Sequence, residues 1–204
     1  MKKGLVLEGG AMRGIFTAGV IDVLLENDIY FDGVIGVSAG ACFGCNYVSK
    51  QIGRTLRYNL KYCQDPRYCS VRSLIKTGDM FGADFCYHDI PETLDPFDTE
   101  TFVASSTEFY VVATDIESGE PVYRKMTDCK GEDLEWIRAS ASMPLASRIV
   151  EIDGGKYLDG GIADSIPLDA FQKMRYEKNV VILTRPDGYK KSPNKNGKKL
   201  GIYR

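Results

Sequence analysis

Three apolar runs punctuate this chain: Leu5-Val6-Leu7, Val34-Ile35 and Phe109-Tyr110-Val111-Val112-Ala113. Each is short and rich in residues that favour extended backbone, so each reads as a buried strand. The first strand covers residues 4–7 and is broken by glycines. A helix then begins near Gly14, and Phe16, Gly19, Val20, Val23 and Leu24 recur at the spacing of one buried helical face. Residues 33–37 form the second strand, and small residues carry a second helix to about Lys50. A β-α-β-α opening implies parallel strands under covering helices.

Periodicity then fades. Residues 51–106 hold Pro66, Pro91 and Pro96 and many aromatics, including Phe81, Phe85, Tyr87, Phe97 and Phe102, and read as irregular. Order returns at residues 109–113, followed by a Glu117-Ser118-Gly119-Glu120 turn and a paired strand at residues 121–125. A helix is expected over residues 133–141, stopping before Pro144. Residues 149–152 and 156–158 flank Asp153-Gly154, a strong hairpin signal. A helix over residues 168–176 and a last strand over residues 180–183 complete the pattern, and no internal repeat is present.

Composition adds little to this but excludes several classes. At 204 residues and 44% hydrophobic content, the chain fits one domain with a sizeable core. A formal charge of -2 gives no electrostatic case for nucleic acid. No apolar run approaches the ~18 residues of a membrane span. Lys2-Lys3 is followed only by Leu5-Val6-Leu7 before Glu8. That is short of a secretory core of ~7–15 residues, so a cytoplasmic protein is expected. From Pro186 the chain turns to Lys, Asn, Gly and Ser, which divides it into a domain at 1–185 and a polar, solvated tail at 186–204.

Six cysteines raise the question of metal or redox chemistry. Cys42 and Cys45 form a C-x-x-C, but no second pair or histidine cluster completes a zinc site. They share a helix with Gly40, Ala41 and Gly44, and read as close packing on a sheet. Cys63, Cys69, Cys86 and Cys129 show no useful spacing. Neither a metal nor a cofactor is implied.

The chemistry concentrates at Gly36-Val37-Ser38-Ala39-Gly40, a G-x-S-x-G between a strand and a helix. In that setting the glycines permit a sharp turn, the serine hydroxyl is exposed at its apex, and the helix N-terminus adds positive potential. A serine nucleophile needs a base. The single histidine, His88, lies in the Pro-rich segment and precedes every later acid, an order that fits no familiar Ser-acid-His arrangement. A carboxylate can serve instead. Asp153 has an ordinary structural role in a hairpin turn, whereas Asp159 follows a strand end, where α/β sheets place ligands. Asp159 is therefore the expected base.

Backbone donors for an oxyanion are expected in the loop after the first strand, from Gly9, Gly10, Ala11, Met12, Arg13 and Gly14. A dinucleotide loop fits the same run poorly. Ala11 replaces the middle glycine of G-x-G-x-x-G, and Ser38 stands where an acid belongs at the end of the second strand. Arg13 reads either as a pin for the loop or as an attractor of an anionic head group.

These motifs together resemble the patatin-like phospholipase family. The glycine-rich loop of Glu8 to Gly14, the elbow around Ser38, the helix end Ala139-Ser140-Ala141-Ser142-Met143-Pro144 and the box Asp159-Gly160-Gly161 match in order. The resemblance implies a three-layer α/β/α fold with a central, mostly parallel sheet. It also implies a Ser38–Asp159 dyad, an acyl-serine intermediate and hydrolysis of acyl esters of lipids without a metal. Residues 51–106 would then supply the wall facing the substrate, or simply pack on the sheet, and transient contact with a membrane surface is consistent with such a substrate. Two departures stand out: Ala11 replaces a frequent third glycine, and the chain stops soon after its last strand, as if a C-terminal segment were truncated. The rival readings are an esterase, thioesterase or acyltransferase with the same dyad, and a non-catalytic lipid- or partner-binding protein.

Overall fold

The structure is a computed structural model that describes residues 1–186, 188 and 189. In chain order its elements are β1 (Lys2–Leu7), a 3-10 turn (Ala11–Gly14), α1 (Ile15–Glu26), β2 (Gly33–Val37) and α2 (Ala39–Val48). Then come α3 (Arg54–Tyr62), α4 (Val71–Thr77), a π-helical segment (Phe85–Leu94) and α5 (Thr99–Ala104). Next are β3 (Glu108–Asp115), β4 (Pro121–Lys125), α6 (Glu132–Ser140), β5 (Val150–Ile152) and β6 (Gly155–Asp159). A 3-10 turn (Gly160–Ile162), α7 (Leu168–Lys173) and β7 (Tyr176–Ile182) close the described chain.

The seven strands form one mixed sheet. β7, β1, β2 and β3 are parallel neighbours, while β4 and β6 run antiparallel to β3 and β5 antiparallel to β6. Alternation splits the central strands between two cores, as period-two geometry requires. Leu5, Leu7, Val34, Phe109 and Val111 face the larger one, under α1, α2 and α6. Val6, Ile35, Val37 and Val112 face the smaller one, where α7 contributes Phe171. The expected α/β/α layering is therefore present, with one layer thinner than the other.

Three expectations change. The buried face of α1 is Thr17, Ala18, Ile21 and Leu25, whereas Phe16 and Val23 are exposed. Apolar residues lie all round this helix, so periodicity alone does not fix its rotation. Gly14 does: a Cβ there would meet Ala39 and Phe43, so the small-residue side turns toward α2. Second, residues 51–106 are largely helical. The buried side of α3 carries Tyr58 and Tyr62 together with the polar Arg54, Thr55 and Asn59, while its outer side exposes Leu56 and Leu60, so no simple apolar stripe marks it. Third, the last helix ends at Lys173 and β7 begins earlier, at Tyr176. The expected polar tail lies outside the described residues except for Pro186, Gly188 and Tyr189.

Candidate active site

Strand pairing brings the site together. β2 pairs with β3 as far as Val37↔Val112, and β6 pairs with β3 from Ala113↔Asp159 onward. β4 overlaps both stretches of β3, at Tyr110 to Thr114, so it occupies the opposite edge. The ends of β2 and β6 therefore meet head to head along one edge of β3. Ser38 follows β2 directly, and its Oγ donates to Asp159 Oδ2 at 2.7 Å. Both side chains are buried, each 7% exposed.

The elbow that holds Ser38 is tightly built. Ser38 has φ 55 and ψ -120, a conformation that L-residues rarely adopt. Close packing requires its flanking glycines: a Cβ on Gly36 would lie 2.4 Å from the Gly40 carbonyl oxygen, and one on Gly40 2.4 Å from that of Leu7. The N–H of Ser38 donates to Ser140 Oγ at 2.9 Å, and the N–H of Asp159 to the Ser142 carbonyl at 2.8 Å. The C-terminal turn of α6 thus tethers both residues. Asp159 Oδ1 accepts from the Gly161 N–H at 2.8 Å, and Thr114 Oγ1 donates to the Asp159 carbonyl at 2.9 Å.

Opposite the hydroxyl lies the glycine-rich loop. Gly9 packs on Ser38, with a virtual Cβ only 3.0 Å from that of the serine. Ala11 takes φ 47, the left-handed backbone a glycine would adopt freely. The Arg13 N–H donates to the Gly10 carbonyl and opens the 3-10 turn. The N–H groups of Ala11 and Met12 precede that bond, so no carbonyl inside the turn can take them. The Arg13 side chain is exposed and enters no ion pair among the described residues.

Ser38 opens onto a cavity of about 120 Å³. Ala11 and Met12 border it, and Phe43, Phe81, Tyr87, Ile90, Phe97, Leu134 and Ile137 line it. Phe85 instead packs in the core, edge-on to Tyr62 at 5.3 Å. Cys42 and Cys45 face this cavity, while Gly40 and Gly44 pack on the sheet. Helical geometry puts the two pairs on opposite sides of α2, which corrects the expected sheet-packing role of the cysteines. Burial pushes the Cys42 thiol up to about 12 and the Cys45 thiol to about 11, so both stay protonated at neutral pH. No group of three His, Cys, Asp or Glu side chains suited to a metal occurs among the described residues.

His88 is on the π-helical segment, with Nδ1 3.2 Å from Glu92 Oε1 and Nε2 3.8 Å from Glu135 Oε1. Asp153 sits exposed in the β5–β6 turn at the far end of β6. Neither accompanies Ser38.

A family model described as patatin-like phospholipase matches residues 5–171. The chain belongs to that family. Among curated proteins, the uncharacterized protein YjjU of Escherichia coli is 32% identical over 187 residues, covering 89% of this chain and 52% of that protein. Lysophospholipase nte1 of Aspergillus fumigatus is 31% identical over 179 residues, covering 81% of this chain but 11% of that protein. This patatin-like chain thus spans about half the length of the first relative and about a tenth of the second. A crystal structure of VipD from Legionella pneumophila aligns with a TM-score of 0.48 at 15% identity, over 80% of this chain and 46% of that one.

The sequence placed Ser140 and Ser142 in the helix-end motif of residues 139–144, but their role as tethers was not read from it. Small residues there allow the end of α6 to approach both strand ends, where the Ser140 hydroxyl accepts from the Ser38 N–H and the Ser142 backbone carbonyl from that of Asp159.

Proposed function

We propose that this domain hydrolyses acyl esters of lipids, with Ser38 as nucleophile and Asp159 as its base. The observation that carries the reading is the 2.7 Å contact between Ser38 Oγ and Asp159 Oδ2 beside a mostly apolar cavity. Ser38 Oγ attacks the ester carbonyl carbon as its proton passes to Asp159. The oxyanion forms opposite the glycine-rich loop, where the N–H groups of Ala11 and Met12 and the N-terminus of α2 provide positive potential. Collapse of this intermediate breaks the bond to the alcohol, which leaves with the proton from Asp159. Water then attacks the acyl-serine, Asp159 takes its proton, and the second collapse frees the fatty acid and returns the proton to Ser38.

Several features support a lipid over a small ester. The cavity walls are aromatic and aliphatic, as an acyl chain requires. The nte1 relative is named a lysophospholipase. Residues 1–185 form the catalytic domain in this reading, and an aggregated lipid substrate entails transient contact with a membrane surface.

A fluorophosphonate probe tests the assignment directly. Labelling should occur at Ser38, and Ser38→Ala and Asp159→Asn should both abolish release of fatty acid from long-chain phospholipid. General-base assistance is worth about 10²–10⁴-fold, and a dyad acts as a unit, so neither half should retain much activity. His88→Ala should keep most of it. A folded His88→Ala variant as inactive as Ser38→Ala would refute the dyad, and absence of labelling would favour a non-catalytic binding role.

A further inference from the structure

The wall that closes the cavity has an unusual outer surface. On its inner side, α3 places Arg54, Tyr58 and Asn59 against the cavity, and Tyr68 and Phe81, flanking α4, also line it. On its outer side, α3 exposes Leu56 and Leu60 one turn apart, each followed directly by a cation, Arg57 and Lys61. The pattern repeats on α4, which exposes Val71 and Ile75, each followed by Arg72 and Lys76. Leu60 is 67% exposed and Ile75 80%, although a soluble surface gains nothing from presenting them to water.

Charge follows the same segment. Residues 51–80 hold six Lys or Arg and two Asp, in a chain whose formal charge is -2. Arg54 is buried, Arg57 pairs with Asp95 and Arg67 with Asp65. Lys61, Arg72 and Lys76 are exposed and enter no ion pair among the described residues. Apolar pairs one turn apart flanked by unpaired cations suit a surface that is apolar inside and anionic at its face.

We propose that the exposed sides of α3 and α4 dock on an anionic lipid surface, with the part of the cavity wall that α3 supplies turned toward the bilayer that holds the substrate. The apolar pairs enter the acyl boundary and the cations meet lipid phosphates. This inference rests on the reading of the cavity as an acyl-chain site.

The test measures cosedimentation of the full chain, carrying Ser38→Ala to prevent hydrolysis, with two kinds of vesicle. One is phosphatidylcholine alone and the other contains phosphatidylglycerol as well. Binding should favour the anionic vesicles and fall as salt rises, because screening shortens the reach of the cations. Lys61→Gln, Arg72→Gln and Lys76→Gln together should lower partitioning on the order of 100-fold, from about tenfold or less per charge. Leu60→Ser with Ile75→Ser should also weaken it. Both sets, made in the active enzyme, should leave hydrolysis of a soluble short-chain ester unchanged.

Equal binding to the two vesicles, or unchanged binding by the triple variant, would overturn the proposal. A concentration-dependent dimer dissolved by Leu60→Ser with Ile75→Ser would also overturn it, by making a second copy the occupant. Vesicle binding without ester cleavage by the unmodified chain would sink the hydrolase reading but not the docking face. Cleavage of a soluble ester without vesicle binding would do the reverse.

Discussion

Replacing Ser140 by alanine tests whether α6 positions Ser38, the proposed nucleophile, or only packs beneath it. The Ser140 side chain is fully buried, and its Oγ is the acceptor for the Ser38 N–H at 2.9 Å. Alanine removes that acceptor and leaves the donor in a site that water does not reach. An unmet buried donor costs about 1–3 kcal/mol. At about 2–4 °C per kcal/mol for a domain of this size, Tm should fall by about 2–12 °C. The same energy bears on the elbow, because Ser38 sits at φ 55 and its tether opposes relaxation toward ordinary backbone. If the relaxed form becomes populated, kcat falls by up to roughly 150-fold, the rate equivalent of the upper figure. KM should hardly move, since Ser140 does not line the cavity. Thermal melts and steady-state kinetics on a long-chain ester, below the melting transition, separate these effects. A lower Tm with an unchanged kcat would refute a positioning role.

Three further outcomes follow from the packing and the charges. Tyr87→Ala opens the cavity wall and should impair long-chain esters more than short ones. Phe85→Ala, which empties core space outside the cavity, should cost both substrates alike, in step with an expected stability loss of about 3–5 kcal/mol. Gly40→Ala drives a methyl toward the Leu7 carbonyl and should destabilise by about 1–3 kcal/mol or more, visible as a lower urea midpoint. Glu108 is held down to about 2 by Lys125, Tyr176 and Lys2. Its depressed carboxyl contributes stability that is present above the unfolded value near 4.5 and is lost as pH falls through about 2. Glu108→Gln should therefore lower stability at neutral pH, with the gap to the parent closing between those values; a constant gap would contradict this.

Most of what frames the site is local and so could be read from the chain. The central strands carry short runs of β formers, and Asp153-Gly154 sets its hairpin because both residues take positive φ. Ser38 and Asp159 stand at strand ends, where a sheet exposes side chains, and the fold brings them to 2.7 Å. What escaped depends on partners distant in sequence. The rotation of α1 is decided by Ala39 and Phe43 against Gly14, not by its own apolar residues. α3 buries polar side chains in bonds to its surroundings: Arg54 Nη1 donates to Asn46 Oδ1 on α2 at 2.7 Å, and Asn59 Oδ1 accepts from the Tyr68 OH in the turn after α3 at 2.7 Å. No hydrophobic stripe announces a helix stabilised in that way.

The meeting of β2 and β6 on one edge of β3 also bears on how such a protein can change. Spacing between Ser38 and Asp159 is set by hydrogen-bonded strands and one helix end, all outside residues 51–106. Somewhat under half of the cavity lining, including Tyr58, Phe81, Tyr87 and Phe97, comes from inside that segment. The Ser38–Asp159 spacing and that part of the wall are therefore encoded in separable stretches of the gene. Insertions or exchanges between Gln51 and Ser106 can reshape the chamber while β3 keeps the reacting atoms in register, which makes that interval the natural target for recombination or directed redesign of substrate preference.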